Sequence, residues 1–165
     1  MKKISVFIFI LFTAFAATAQ LKVTPKCPEF EINILKGIVN DNILPNSTGG
    51  QIKLKFPCFT SAEDETPNLK CSEGVFYKDK DISFYTSRDY IELGPHFKGK
   101  LSLPLMGASR NSLFKWLGAP QIKDVNWDAF QTSYGVLILY YNKDSKVNKI
   151  QFSTQTAQTI RLCDQ

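Results

Sequence analysis

The sequence is poor in the residues that do chemistry. It has one histidine, His96, set between Pro95 and Phe97 with no motif around it. A nucleophile usually needs a positioned histidine as its base. His96 or carboxylates would have to carry a small hydrolase-like activity, and for His96 an ordinary loop histidine is the plainer reading. The G-x-S-x-G elbow, the glycine-rich phosphate loop and metal-spaced His/Glu sets do not occur. C-x-x-C is missing as well, which argues against a zinc site or a redox pair. The sequence therefore implies neither a cofactor nor a metal, and it reads as a non-enzyme. Asp124 and Asp128 form a carboxylate pair, but nothing in the sequence brings them into one cleft. After the first twenty residues no run is long and apolar enough to cross a bilayer. The formal charge is only +5, with lysines scattered along the chain, so no nucleic-acid partner is expected.

What is present begins with a targeting pattern. Lys2 and Lys3 precede the apolar run Ile4–Phe15, and Ala17-Thr18-Ala19 matches an A-x-A cleavage site. Residues 1–19 are thus expected to be a signal peptide, and the mature chain to be exported, periplasmic or secreted. Residues 20–165 suit a single domain with one core. All four cysteines, Cys27, Cys58, Cys71 and Cys163, lie in the exported part. An even count in an oxidising compartment implies two disulfides. Three connectivities exist. The preferred one pairs Cys58 with Cys71 and Cys27 with Cys163, each contributing about 3 kcal/mol by loop entropy.

The pattern of the chain is that of a small α+β domain. Glu29 to Val39 alternates as a strand, and Gln51 to Phe56 does so more cleanly, with Ile52, Leu54 and Phe56 on one side. Asn46-Ser47-Thr48 matches a glycosylation acceptor. Thr60 to Lys70 carries Glu63-Asp64-Glu65 and Pro67 without periodicity, as an acidic loop does. Gly74–Tyr77 and Ile82–Tyr85 flank a Lys/Asp turn and read as a hairpin. Thr86 to Pro95 is open between a helical turn and a strand over Tyr90–Leu93. Phe97 to Leu105 reads as a strand, with Pro104, which cannot donate to a ladder, marking an edge or a strand end.

The best-marked stretch runs from Leu101 to Ser153. Ser109 can cap a short helix, Leu113, Trp116 and Leu117 share one face, Gly118 can close it and Pro120 bars resumption. Tyr134–Tyr141 and Lys146–Thr154 then form a hairpin around Asn142-Lys-Asp-Ser145. Val147 is out of phase with Ile150, which predicts a bulge or a longer turn. The two hairpins echo one another and suggest a degenerate internal duplication. Against it, the first half shows no matching helix, since Pro45, Gly49, Gly50 and Pro57 stand where one would be.

Gly107, Ser109, Leu113, Leu117, Gly118, Pro120, Gly135, Lys146-Val147 and Ile150 together resemble a module found in two groups. One is the small outer-membrane-assembly lipoproteins of the SmpA/OmlA type, and the other is the β-lactamase-inhibitor protein fold. The likeness covers the last third of the chain, residues 101–153. It implies a capped helix ending Leu-Gly-x-Pro, followed by an antiparallel meander. It also implies either a protein-binding role, of inhibitor or immunity type, or a structural role in cell-envelope assembly. Unlike the lipoproteins, the chain has no cysteine at the cleavage site.

The expected fold is therefore a mostly antiparallel sheet with one short helix packed on it and two hairpins. A protein partner is expected, of unknown identity. The candidate binding residues are Trp127, Asp128, Phe130 and Tyr134, because exposed aromatics anchor interfaces. The competing reading places Trp127 and Phe130 in the core on a strand, where large aromatics usually lie. Tyr85, Arg88 and Tyr90 are a second candidate set.

Overall fold

A computed structural model describes residues 26–63 and 73–162. The leader, Cys71 and Cys163 lie outside the described residues. In chain order the elements are β1 (Phe30–Asn33), β2 (Ile38–Val39), α1 (Gly49–Lys55), β3 (Ser61–Glu63), β4 (Gly74–Tyr77), β5 (Ile82–Tyr85), β6 (Tyr90–Leu93) and β7 (Gly99–Leu101). A 3-10 turn over Arg110–Ser112 follows, then α2 (Phe114–Leu117), β8 (Ile122–Lys123), β9 (Trp127–Gln131), β10 (Val136–Tyr141) and β11 (Val147–Ser153).

Eight strands form one antiparallel sheet in the order β3-β4-β5-β6-β11-β10-β9-β8. This order reads alike from both edges: two four-stranded meanders meet where β6 pairs with β11. A helix precedes each meander in the chain, α1 before β3 and α2 before β8. The expected α+β architecture is present, and its topology is a twofold repeat. A second, small sheet, β2-β1-β7, has β1 and β7 parallel.

The helix α1 corrects the strand expected at Gln51–Phe56 and restores the element the first half was thought to lack. Thr48 Oγ1 accepts from Gln51 N–H at 3.3 Å, and Thr48 N–H donates to Gln51 Oε1 at 2.9 Å, closing a capping box. Ile52 and Phe56, one turn apart, are both buried, whereas Leu54 is 86% exposed. The apparent alternation was thus two residues of a helical face with a solvent-facing leucine between them. Phe56 enters an aromatic cluster with Phe30 (4.5 Å between centroids), Tyr77 (6.1 Å) and Phe84 (6.3 Å). Tyr77 hydroxyl donates to Phe56 O at 2.7 Å, which satisfies a polar atom the cluster would otherwise strand.

Beside this cluster lies a disulfide between Cys27 and Cys58, with Cα atoms 5.5 Å apart. It replaces both expected pairings. The physical reason is that Phe56, just past α1, packs its ring on Phe30 of β1, which brings Cys58 beside Cys27, just before that strand.

The second half follows expectation more closely. β10 and β11 pair as predicted, and the register slips between Tyr140–Lys149 and Tyr141–Val147, which makes the bulge that Val147 implied. The helix is shorter than drawn. Ser109 makes no side-chain cap; its carbonyl accepts from Ser112 hydroxyl at 2.7 Å, which favours the 3-10 turn. Leu113 is buried, Trp116 and Leu117 are half-buried, and Gly118 closes the helix at φ 72°. Thr86–Asp89 is a turn and Tyr90–Leu93 a strand, and Ser61–Glu63, expected in a loop, pairs with β4. The strand expected over Glu29–Val39 is broken by a turn at residues 34–37 into β1 and β2.

The main core lies on one face of the large sheet, under the small sheet and the helices. It is built from Phe30, Ile32, Ile52, Phe56, Phe84, Leu105, Leu113, Leu139 and Phe152, among others. A second, smaller cluster lies on the opposite face.

Candidate functional site

β9 divides the predicted site residues between the two faces of the sheet. Side chains alternate along a strand, so Trp127 and Ala129 turn outward with the smaller cluster, while Phe130 joins the main core at 3% exposure. Asp128 shares the inner side. Its side chain is 4% exposed and meets the Arg110 side chain, 19% exposed, in an ion pair. Arg110 Nε donates to Asp128 Oδ2 at 2.9 Å and Nη2 to Oδ1 at 2.5 Å, a bidentate arrangement. Tyr141 hydroxyl donates to the same carboxylate at 2.7 Å, and the Arg110 guanidinium lies 4.7 Å over the Tyr141 ring.

Arg110 also donates to Val125 O at 3.0 Å and to Asp124 O at 2.5 Å. It therefore fixes the β8–β9 loop to the segment that leads into α2. The hydrogen bonds to Asp128 hold the Arg110 guanidinium above its ordinary range, against the burial that lowers it. Burial, with help from Asp128, pushes the Tyr141 phenol up. This constellation is complete in itself: the arginine spends its donors on two carbonyls and a carboxylate.

Tyr134 also lies inward. Its ring sits edge-on to Phe152 at 6.4 Å and fills the space where a Cβ on Gly37 would stand. Burial raises its phenol. Three of the four predicted site residues thus hold the fold together, and Trp127 alone remains on the outer face.

On that face Trp127 is joined by Tyr85 and Tyr90 of the second predicted set, whose third member, Arg88, lies in the turn between them. Strand registers give three neighbouring rows across the sheet. Phe76, Ser83, Glu92, Gln151, Ile138 and Ala129 form one, Tyr85, Tyr90, Ser153 and Val136 a second, and Lys149, Tyr140 and Trp127 a third. Tyr85 stacks on Tyr90 at 4.5 Å and meets Phe76 edge-on at 5.6 Å. At the centre, Gln151, fully buried despite its polarity, donates Nε2 to Glu92 Oε2 at 2.6 Å and accepts from Tyr140 hydroxyl at 2.8 Å. Lys149 Nζ stands 3.8 Å from Glu92 and 4.2 Å over the Tyr140 ring. Phe76, Tyr85, Glu92, Trp127, Tyr140 and Lys149 are all half-buried.

Phe76, Glu92, Tyr140, Lys149 and Gln151 were not singled out by the sequence. The signal was nonetheless there. In β4, β6, β10 and β11 they occupy the strand phase opposite to the core residues, and that phase is rich in aromatics instead of being simply polar.

Elsewhere the chemistry is plain. His96 is exposed, and its backbone N–H donates to Asp81 Oδ2 at 2.7 Å. A shallow groove of about 350 Å³ over the small sheet is lined by Glu31, Lys36, Asp41 and Lys100. Lys100 is already paired there with Glu29 at 2.7 Å and Glu31 at 3.3 Å, and these hydrogen bonds raise its ammonium. Among the described residues no three His, Cys, Asp or Glu side chains gather to hold a metal ion, and no helix is long and apolar enough to cross a membrane.

Comparison with protein-family models, with curated proteins and with solved structures gives no significant match.

Proposed function

We propose that this is an exported binding module that holds a protein partner on the outer face of its eight-stranded sheet. The observation that carries the reading is the composition of that face. Four half-buried aromatics, Phe76, Tyr85, Trp127 and Tyr140, surround a charged and amide-bearing centre of Glu92, Gln151 and Lys149. Protein interfaces favour this mixture, because aromatic rings supply area at low entropic cost and a polar centre supplies register. A face meant only for water needs no tryptophan. The twofold repeat of helix and four-stranded meander supports the likeness to the two-repeat inhibitor fold, whose shape the C-terminal third resembles. Export is supported by the leader pattern and by the Cys27–Cys58 disulfide, a bond kept in oxidising compartments.

The test is affinity capture from native envelope and culture fluid. It compares the wild type with Trp127→Ala/Tyr85→Ala and with Thr48→Ser as a conservative control away from the face. One protein retained by the wild type and by the control, and lost by the folded double variant, is the expected outcome. A partner that the double variant retains at full strength would place the interface elsewhere and refute the reading.

A further inference from the structure

With Cys27 and Cys58 bonded to each other, two of the four cysteines are left, Cys71 and Cys163. Both lie outside the described residues, yet each has described neighbours that are firmly attached, and these neighbours converge on one place.

Cys71 stands two residues before Glu73, at the entry to β4. There Glu73 Oε1 accepts from Thr86 hydroxyl at 3.2 Å. Gly74 runs so close to β5 that a Cβ on it would strike Phe84 O. The entry to β4 is therefore fastened beside the turn at residues 86–89 that joins β5 to β6. Cys163 directly follows Leu162, and the segment leading to it leaves β11 against the same turn. Ser153 hydroxyl donates to Asp89 O at 2.7 Å, and Gln155 Nε2 donates to Arg88 O and Asp89 Oδ2, each at 3.4 Å. Leu162 is then buried in the smaller cluster with Tyr90, the residue that ends the turn, and Tyr85, the residue that starts it, packs on that cluster. Tyr85 and Tyr90 are partners across the strands and stack at 4.5 Å.

We propose that Cys71 and Cys163 form a second disulfide, which ties the entry of β4 to the segment that follows β11. Reach permits it. With about 3.8 Å per peptide step and about 4.4–6.8 Å between bonded Cα atoms, the bond can span anchors at Glu73 and Leu162 up to about 17 Å apart. Among the described residues no cysteine is free to compete for either thiol. Two thiols carried to one turn of one chain also meet at a higher effective concentration than thiols of separate chains, which favours the bond within the chain. The bond forms by exchange. One thiolate attacks the disulfide of a thiol oxidoreductase in the export compartment, and the other displaces the mixed disulfide. Two protons leave, and the two electrons reduce the oxidoreductase to its dithiol.

The link differs in kind from Cys27–Cys58, which closes a short stretch of the first half. The two meanders meet through β6 and β11 alone. A Cys71–Cys163 bond adds a covalent crossing of that join and fixes residues 156–162 as part of the outer face. It holds whether or not that face takes a partner.

The experiment uses the full exported chain, purified without reductant. It is denatured with N-ethylmaleimide present, digested with trypsin and mapped by mass spectrometry before and after reduction. Cleavage after Lys70, Lys78 and Arg161 places the two cysteines in separate peptides, residues 71–78 and 162–165. The expected result is one species containing both peptides, absent after reduction, from a chain that runs as a monomer on a non-reducing gel. Maleimide on Cys71 or Cys163, a peptide of either joined to one holding Cys27 or Cys58, or a dimer that reduction dissolves would each overturn the proposal. No partner enters the measurement, so a failed capture leaves its outcome untouched.

Discussion

Removing Arg110 tests the most consequential polar contact in the fold. Arg110→Met keeps much of the side-chain bulk and deletes the charge. The carboxylate it leaves behind belongs to Asp128, 4% exposed, with Tyr141 hydroxyl as its remaining side-chain donor. The same substitution also releases the β8–β9 loop, which Arg110 holds through the carbonyls of Asp124 and Val125. Breaking a buried pair by removing one partner costs about 3–5 kcal/mol, because an uncompensated charge remains. An exposed pair would cost about 0–1 kcal/mol. The two regimes are far enough apart for a urea titration to separate them, provided the slope is unchanged. The double variant Arg110→Met/Asp128→Leu removes the charge together with its partner, and it should recover most of the loss, to within about 2 kcal/mol of wild type. The measurement is urea unfolding by circular dichroism on the disulfide-intact protein at neutral pH. A single-variant cost below about 1 kcal/mol would refute the account, and so would a double variant as unstable as the sum of its singles.

Alkaline stability should fall in a defined window. Tyr77, Tyr134 and Tyr141 have phenols pushed up, chiefly by burial. A folded value above the unfolded one, about 10, gives stability that is intact below pH 10 and lost as pH rises towards the folded values. Above pH 10 each such phenol can remove up to about 1.4 kcal/mol per pH unit, and Tyr→Phe at any of the three should lessen the alkaline loss followed by urea unfolding. Thr48→Ala removes the α1 capping box and should cost about 1 kcal/mol in the same urea assay; no change would mean that α1 is held by Ile52 and Phe56 alone. Gly118→Ala meets open space and only the backbone strain of φ 72° with ψ −157°, about 1–3 kcal/mol, whereas Gly135→Ala, also at positive φ, drives a Cβ into the backbone after β11 besides and should cost distinctly more. Equal costs would contradict that close approach.

The parts of the fold that were legible in the sequence are those whose signals are local and dense. Both hairpins, the bulge at Val147 and the stop at Gly118-Ala-Pro120 are written within a few residues of where they act. Gln51–Phe56 was misread because seven helical residues starting with two glycines offer only one buried repeat, Ile52 to Phe56. A single solvent-facing leucine between them is enough to imitate a strand, and the Thr48–Gln51 box that starts the helix is a pattern the periodicity reading does not use. The disulfide failed for a different reason. Pairing depends on which elements pack together, and the contact of Phe56 with Phe30 is a tertiary fact that no spacing between cysteines contains.

The binding residues show the same limit on a finer scale. A run such as Trp127-Asp128-Ala129-Phe130 is legible as a strand, yet the strand sends alternate members to opposite sides of the sheet. The sequence therefore grouped residues that the structure separates, Trp127 from Asp128 and Phe130. It also separated residues that the structure groups, since Trp127 and Tyr85 belong to different meanders and share one face only because β6 pairs with β11. A face assembled from both halves of a repeated topology is a property of the join. In this protein the join is antiparallel, so the outward phase of one meander continues into that of the other, and an aromatic surface forms from strands that each look half polar.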